Sequence, residues 1–177
     1  MINFQEQKKE SNEVLLSTQD SVQLNKNDIN ELIDLAKNNI SEKIRFCSHK
    51  SPNDLIHEMF IVHPKEMYVR PHKHINKIES MIVLSGEVDY ILLNEQGEIE
   101  KVVEMGDINS GKEFYISTKD QTFHSLLIKS DFLVFLEITN GPFKKEDTIF
   151  APWSPQNDDI INIDIFMDKL KKVTNDK

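Results

Sequence analysis

Two histidines that lie one residue apart, His72 and His74, begin the stretch of this sequence that is best equipped for chemistry. Side chains in an extended strand alternate between its two faces, so both imidazoles point the same way. Glu79 follows after an odd number of residues, and a straight strand would place it on the opposite face. The polar segment 75–77 supplies a bend that corrects this. We therefore expect two imidazoles and one carboxylate to converge from neighbouring strands.

A third imidazole, His124, lies in a later strand-like segment, QTFHSLLIK. With His72, His74 and Glu79 it forms a mixed set of nitrogen and oxygen donors. Such a set suits one divalent transition metal ion, with coordination positions left open for water or substrate. Fe, Mn, Ni, Cu and Zn all accept these ligands, so the metal's identity stays open. The alternative is that the histidines are hydrogen-bonded surface or core residues, and His124 taken alone does not distinguish the two.

The spacing H-x-H-x4-E-x6-G from His72 to Gly86 resembles the first motif of the cupin superfamily, and His124 stands where the second motif has its histidine. Glu66 stands where the first motif begins with glycine. Four further segments are similar to those of WbuC-type cupin-fold metalloproteins: RFCSH (45–49), EMFIV (58–62), YVRPHKH (68–74) and NGPF…FAPWSP (140–155). The resemblance covers roughly residues 27–155, most of the chain.

This resemblance implies a mainly β fold, the jelly-roll barrel or double-stranded β-helix of the cupins. It also implies that His72, His74, Glu79 and His124 are the metal ligands. WbuC-type proteins are associated with bacterial surface-polysaccharide gene clusters, which would imply a sugar or nucleotide-sugar substrate. Cupin enzymes include isomerases, lyases and dioxygenases. Because cupins are often dimers, the resemblance is also compatible with a homodimer.

The surrounding sequence predicts the elements that position these residues. Residues 25–39 have apolar residues at helical spacing, with Asn27 or Asp28 as the N-cap. Residues 43–139 form short β runs separated by turn residues, as in a sandwich or small barrel. We expect an N-terminal extension with a short helix, the cupin barrel, and a C-terminal helix and tail, at residues 1–44, 45–155 and 156–177 respectively.

Composition excludes several classes of partner. The chain has 177 residues, a net charge of −9 and a pI of about 5.1, which argues against nucleic acid. No apolar run approaches the ~20 residues that span a bilayer, so no membrane association is expected. The polar start, MINFQEQKKE, lacks the apolar core of a signal peptide, and the single Cys47 excludes an internal disulfide. A cytoplasmic location is therefore expected.

Five other residues are candidates for the chemistry of a site. Tyr68, His49 and Glu137 could act as general acid or base, although Glu137 could equally be the last residue before its strand surfaces. Arg45 and Arg70 could bind a ligand, because guanidinium groups pair with carboxylates and phosphates. We therefore expect an anionic small-molecule ligand. The alternative for Arg70 is an ion pair at the barrel rim.

Three remaining residues are predicted to be structural. Cys47 is interpreted as a small buried apolar residue rather than as an acid, a base or an extra ligand. His57 and His63 have no partner at metal-binding spacing, so they are expected to be structural or exposed.

Two functional hypotheses of different classes follow. The first is a metal-dependent cupin enzyme acting on a small anionic substrate. The second is a metal-containing module that binds or senses a small ligand without turnover. A purely structural metal is disfavoured, because structural sites are usually closed and rich in sulfur. An acid or base facing the metal would favour the enzyme.

Overall fold

The computed structural model of this chain describes residues 2–118 and 121–175, in which β-strands predominate. The strands are β1 (Lys8–Ser11), β2 (Val14–Leu16), β3 (Ile44–Cys47), β4 (Ile56–Pro64), β5 (His72–His74), β6 (Glu79–Ser85), β7 (Glu87–Leu93), β8 (Ile99–Gly106), β9 (Tyr115–Thr118), β10 (Phe123–Ile128), β11 (Phe132–Asn140) and β12 (Thr148–Phe150). The helices are α1 (Lys26–Lys37) and α2 (Ile160–Asn175), with short 3-10 helices at Phe4–Glu6 and Lys145–Asp147. Residues 176 and 177 of the predicted tail lie outside the described residues.

The strands form two sheets. One has the order β1-β2-β3-β4-β11-β6-β9, and the other has the order β12-β5-β10-β7-β8. Apart from β2 with β3, the paired strands are antiparallel, and neighbours such as β5 and β10 are distant in the chain. Two antiparallel sheets joined by such crossovers form a jelly roll. The prediction of a mainly β, cupin-type jelly roll with an N-terminal and a C-terminal helix is confirmed.

Alternation along the strands divides each sheet into an inner and an outer face. On β4, Met59 and Ile61 point between the sheets and pack in one cluster with Phe135 of β11. Phe60 and Val62 point the other way, into a second apolar cluster. The large sheet is therefore buried on both faces, which is why β4 is apolar at successive positions.

Each helix covers the outer face of one sheet. Leu32 and Ala36 of α1 are fully buried against the outer face of the large sheet. Met167 and Leu170 of α2 pack with Leu127 of β10, on the outer face of the small sheet. Neither helix is long and apolar enough to cross a membrane.

The N-terminus of α1 lies earlier than predicted. Its N-cap is Asn25, whose side chain accepts a hydrogen bond from the Asn27 backbone N–H at 2.8 Å. Asp28 is the third helical residue, and its carboxylate accepts a hydrogen bond from the Asn25 N–H at 2.7 Å. This second bond completes a capping box. The prediction of Asn27 or Asp28 as N-cap is therefore wrong, because both residues belong to the first turn.

The N-terminal residues contribute strands as well as a helix. β1 pairs with β2, and β2 runs parallel to β3, with Leu15 opposite Phe46. Leu15 and Phe4 are buried in the cluster beneath α1. The large sheet thus extends into residues 8–16.

Two turns of the first motif use left-handed backbone. Gly86 has a φ of 91°, and a Cβ there would lie 2.4 Å from the Phe132 carbonyl oxygen, so only glycine fits. Glu66, at the position of the motif's leading glycine, has a φ of 66°. Its carboxylate accepts a 2.5 Å bond from Lys171 of α2. The turn is therefore retained without glycine.

Candidate metal centre

Four side chains converge between the two sheets: His72 and His74 from β5, Glu79 from β6 and His124 from β10. Each offers one ligand atom, and these atoms all lie within 4.8 Å of one another, an arrangement that could hold a metal ion. Asn76, with a φ of 60°, lies in the bend between β5 and β6 that brings Glu79 to the same side as the histidines. We call these four residues the metal group.

Backbone carbonyls orient two of the imidazoles. Nδ1 of His72 lies 2.8 Å from the Arg70 carbonyl oxygen, and Nδ1 of His124 lies 3.3 Å from the Thr122 carbonyl oxygen. Since a carbonyl only accepts, each Nδ1 carries the proton and each Nε2 keeps its lone pair. Nε2 of His124 is buried and has no hydrogen-bond partner among the described residues. These contacts match those of metal-ligating histidines.

His74 is oriented by side chains instead. Its Nδ1 lies 3.2 Å from Oγ1 of Thr148 on β12, and its Nε2 lies 2.9 Å from Oε2 of Glu79. The other oxygen of Glu79 is 3.6 Å from Nε2 of His124. The carboxylate thus lies between two imidazoles, and all four residues point their donor atoms at one small volume.

The electrostatics keep two of the three imidazoles neutral and the carboxylate ionised. Burial alone would lower the pKa of His74, but its hydrogen bond to Glu79 outweighs burial and raises that pKa. Burial and the neighbouring His124 lower the pKa of His72 to about 4, and burial lowers the pKa of His124. Burial alone would raise the pKa of Glu79, but the hydrogen bond from His74 and the adjacent histidines hold it well below its usual range. At neutral pH the centre therefore has neutral His72 and His124 beside an ionised carboxylate.

The metal group forms one wall of a cavity of about 300 Å³. Five of the chain's six histidines line this cavity. Apolar side chains form much of the remaining wall: Met59, Ile61, Val69, Met81, Leu126, Phe135, Phe143 and Phe150. A concave, mainly apolar space with a few convergent polar groups is the usual form of a small-molecule site.

Of the three predicted acid–base residues, Glu137 lines the cavity. It faces inward from β11 next to Met81 of β6 and is half-buried. Burial raises the pKa of its carboxyl, and the negative charge of Glu79 raises it further. The structure thus favours the interpretation of Glu137 as an inward-facing carboxylate over a residue at which the strand surfaces.

His49 and Tyr68 lie outside the cavity lining. His49 accepts a hydrogen bond at Nδ1 from the Glu58 N–H and stacks on His57 with ring centroids 4.2 Å apart. The Tyr68 hydroxyl donates to the Pro155 carbonyl at 3.0 Å. Cys47 is buried in the core, and burial raises the pKa of its thiol to about 11, in keeping with an apolar role.

The two arginines differ in position. Arg45 is solvent-exposed and lines the cavity, and no carboxylate of the described residues lies within 4.0 Å of its guanidinium. Arg70 is not part of the lining. Its Nε donates to Oγ of Ser154 at 3.0 Å, and its Cζ lies 4.9 Å from the centre of the Phe150 ring. Arg45 is therefore the arginine that a ligand in the cavity would meet.

Six polar lining residues escaped prediction: His57, His63, Lys77, Tyr90, Thr139 and Thr148. His57 and His63, which were expected to be structural or exposed, both line the cavity, and His57 is buried with 4% exposure. Both residues are separated from Met59 by an even number of positions on β4, so all three side chains point inward. This alternation can be seen in the sequence. Nothing in the sequence marks the hydroxyls of Tyr90 and Thr139.

Comparison with known proteins gives one family match. Residues 24–105 match the model of a family described as Domain of unknown function (DUF6016), and this range includes His72, His74 and Glu79. No curated protein matches the chain.

Solved structures are similar to this chain at low sequence identity. Protein SO0799 from Shewanella oneidensis is 11% identical with a TM-score of 0.51, over 68% of this chain and 82% of that one. Capsular polysaccharide assembling protein CapF from Staphylococcus aureus is 18% identical with a TM-score of 0.48, over 62% of this chain and 29% of that one. Oxalate decarboxylase OxdC from Bacillus subtilis is 14% identical with a TM-score of 0.45, over 55% and 24%. The chain thus spans under a third of CapF and OxdC, and its likeness to SO0799 is one of fold.

Proposed function

We propose that this protein is a metal-binding cupin that takes a small anionic ligand into its cavity as a metal-dependent enzyme. The observation that carries the proposal is the convergence of His72, His74, Glu79 and His124, with ligand atoms within 4.8 Å of one another. The set combines nitrogen and oxygen donors and contains no thiolate, which is typical of open sites for Fe, Mn, Ni, Cu or Zn. The described residues thus fit one divalent ion, which would polarise a ligand oxygen when bound.

The chain's own residues would then act on the ligand. Glu137 lies in the cavity wall beside the metal group, where its carboxyl could hold or move a proton. Arg45, exposed at the cavity and without an ion-pair partner among the described residues, could attract the ligand's negative charge. An isomerase, lyase or dioxygenase reaction is compatible with this arrangement. The sugar or nucleotide-sugar substrate, a role in surface-polysaccharide biosynthesis, a homodimer and a cytoplasmic location rest on the sequence alone.

A non-catalytic module that binds or senses a small ligand is the second candidate. One observation favours it: two of the three predicted acid–base residues, His49 and Tyr68, make their hydrogen bonds outside the cavity. Only Glu137 of that set is left to transfer protons. Turnover that is lost in Glu137→Gln, with metal retained, would favour the enzyme.

Metal binding itself is tested by elemental analysis. We expect one divalent ion per chain in the wild type, and none at stoichiometric level after His72→Ala with His74→Ala. The matched control is His49→Ala, which removes an imidazole outside the cavity and should retain the metal. Circular dichroism should stay β-rich in all three proteins. Full metal content in the double variant would contradict the site.

A further inference from the structure

Buried polar atoms without partners are concentrated in the cavity. In the described residues, five buried side-chain nitrogen or oxygen atoms have no hydrogen-bond partner: Nε2 of His57, Nδ1 of His63, Oη of Tyr90, Nε2 of His124 and Oγ1 of Thr139. All five residues line the one cavity described above. Buried polar groups in folded proteins are nearly always paired, so this concentration points to a bound group that completes them.

Two of these atoms are hydroxyls that flank the metal group from opposite sheets. Thr139 on β11 is the register partner of Glu79 on β6, so their side chains lie side by side on the inner face. Tyr90 on β7 stacks against His124, with ring centroids 5.4 Å apart and an angle of 14° between the rings. Each hydroxyl therefore belongs to a side chain next to a member of the metal group, and the two side chains come from different sheets.

Both hydroxyls are held in position by their surroundings. Tyr90 is 1% exposed, and its ring is fixed by the core cluster and by the stacked imidazole. Thr139 is β-branched and lies in a strand paired on both sides, which restricts its rotamers. Such preorganised donors bind a ligand without paying for side-chain ordering. An unpaired buried hydroxyl lowers the stability of the empty protein, so its retention calls for a function.

We infer that Tyr90 and Thr139 donate hydrogen bonds to two oxygen atoms of a ligand at the metal group, and that this ligand is a short 2-hydroxy or 2-oxo carboxylate. This inference rests on the proposed metal-dependent function. Hydroxyl groups bond most strongly to ionised acceptors, which favours a carboxylate. The two donors and the metal together call for three oxygen atoms, one more than a lone carboxylate has. A cavity of about 300 Å³ is at the small end for ligand sites and suits a short acid better than a nucleotide.

Three acids of equal length test the ligand class. Pyruvate and lactate carry the second oxygen, whereas propionate lacks it. Isothermal titration of the metal-loaded wild type should give a Kd for pyruvate or lactate at least about tenfold below that for propionate, since one added hydrogen bond to a charged group is worth that factor. Equal affinity for all three acids, in protein with full metal content, would overturn the ligand class. Failure to take up metal would instead refute the proposed function.

Two variants test the hydroxyls, with Tyr68→Phe as the matched control. Tyr90→Phe and Thr139→Val should each weaken pyruvate or lactate binding about tenfold at unchanged metal stoichiometry. Tyr68→Phe should leave that binding unchanged, because its hydroxyl contacts the Pro155 carbonyl outside the cavity. Unchanged affinity in both cavity variants would overturn the assignment.

Thermal unfolding of the metal-free protein separates a binding role from a structural one. Thr139→Val should raise the Tm, because it removes a buried hydroxyl without a hydrogen-bond partner. Tyr68→Phe should lower the Tm, because it removes a hydroxyl that is bonded. A fall in Tm for Thr139→Val would show that its hydroxyl serves the fold, which would overturn its assignment to ligand binding.

Discussion

His72 and His124 face each other directly across the β5–β10 pair, with ring centroids 4.4 Å apart. Each imidazole places its Nδ1 on the backbone carbonyl two residues earlier, Arg70 for the first and Thr122 for the second. Both rings are thus oriented in the same way, by a hydrogen bond to a backbone carbonyl oxygen. His74, by contrast, relies on the side chain of Thr148.

That difference makes Thr148 a testable support for the metal. Thr148→Val keeps the shape of the side chain but removes the oxygen 3.2 Å from Nδ1 of His74. We expect metal affinity to fall about tenfold, the usual loss when an outer contact of a metal-ligating histidine is removed. Competition with a chelating dye measures the affinity.

The control for this change is Thr122→Val. Thr122 contacts His124 through its carbonyl oxygen, which the substitution preserves. Metal affinity should therefore stay at the wild-type value. An equal loss in both variants would mean that Thr148 has no specific role at the centre.

Arg45 is expected to set the charge preference of the cavity. It lines the cavity without an ion-pair partner among the described residues, so Arg45→Gln should weaken the binding of an anionic ligand such as pyruvate severalfold. The loss should shrink at high salt, because exposed charges are screened. Titration calorimetry at low and high ionic strength measures both effects.

Arg70→Gln is the matched control, since Arg70 does not line the cavity and its Nε donates a hydrogen bond to Ser154. It should leave ligand affinity unchanged. If Arg70→Gln weakens binding and Arg45→Gln does not, the roles of the two arginines are reversed and the ligand reaches the Phe150 side.

His63 should make the metal-free protein less stable in acid. Burial, together with the charges of Arg45 and Lys43, lowers the pKa of His63 to about 4 from an unfolded value of 6.5. Between these pH values the unfolded chain binds a proton at His63 and the folded chain does not, so the free energy of unfolding falls as the pH drops. A shift of this size corresponds to about 2–3 kcal/mol across the window.

His63→Gln removes this proton-binding group. Denaturant unfolding of the metal-free variant at pH 7 and at pH 4.5 should therefore show a smaller acid loss than the wild type. The metal ligands titrate in both proteins, so the difference between the two isolates His63. An identical loss in the two proteins would place the pKa of folded His63 near its ordinary value.

Local sequence pattern and the resemblance to cupins predicted the four residues of the metal group and the class of fold. His72 and His74 share a face because strand side chains alternate, and the bend at residues 75–77 followed from the parity of Glu79. Short β runs separated by turns predicted a sandwich or small barrel, because local pattern and turn chemistry depend on neighbouring residues alone, and the resemblance to cupins implied the jelly roll. Helix α1 was also predicted, but its N-cap was placed too late. Several polar residues at that end of the helix are of types that can serve as the N-cap.

Which other residues line the cavity depends on how the two sheets are assembled. Arg45 and Arg70 are equivalent candidates in the sequence, but strand order places Arg45 at the cavity and turns Arg70 towards Ser154. Tyr90 and Thr139 carry no local signal, because their proximity to the metal group arises from pairing between strands that are distant in the chain. Register and sheet packing are long-range properties, so the hydroxyls beside the metal group could be found only once the two sheets had been assembled.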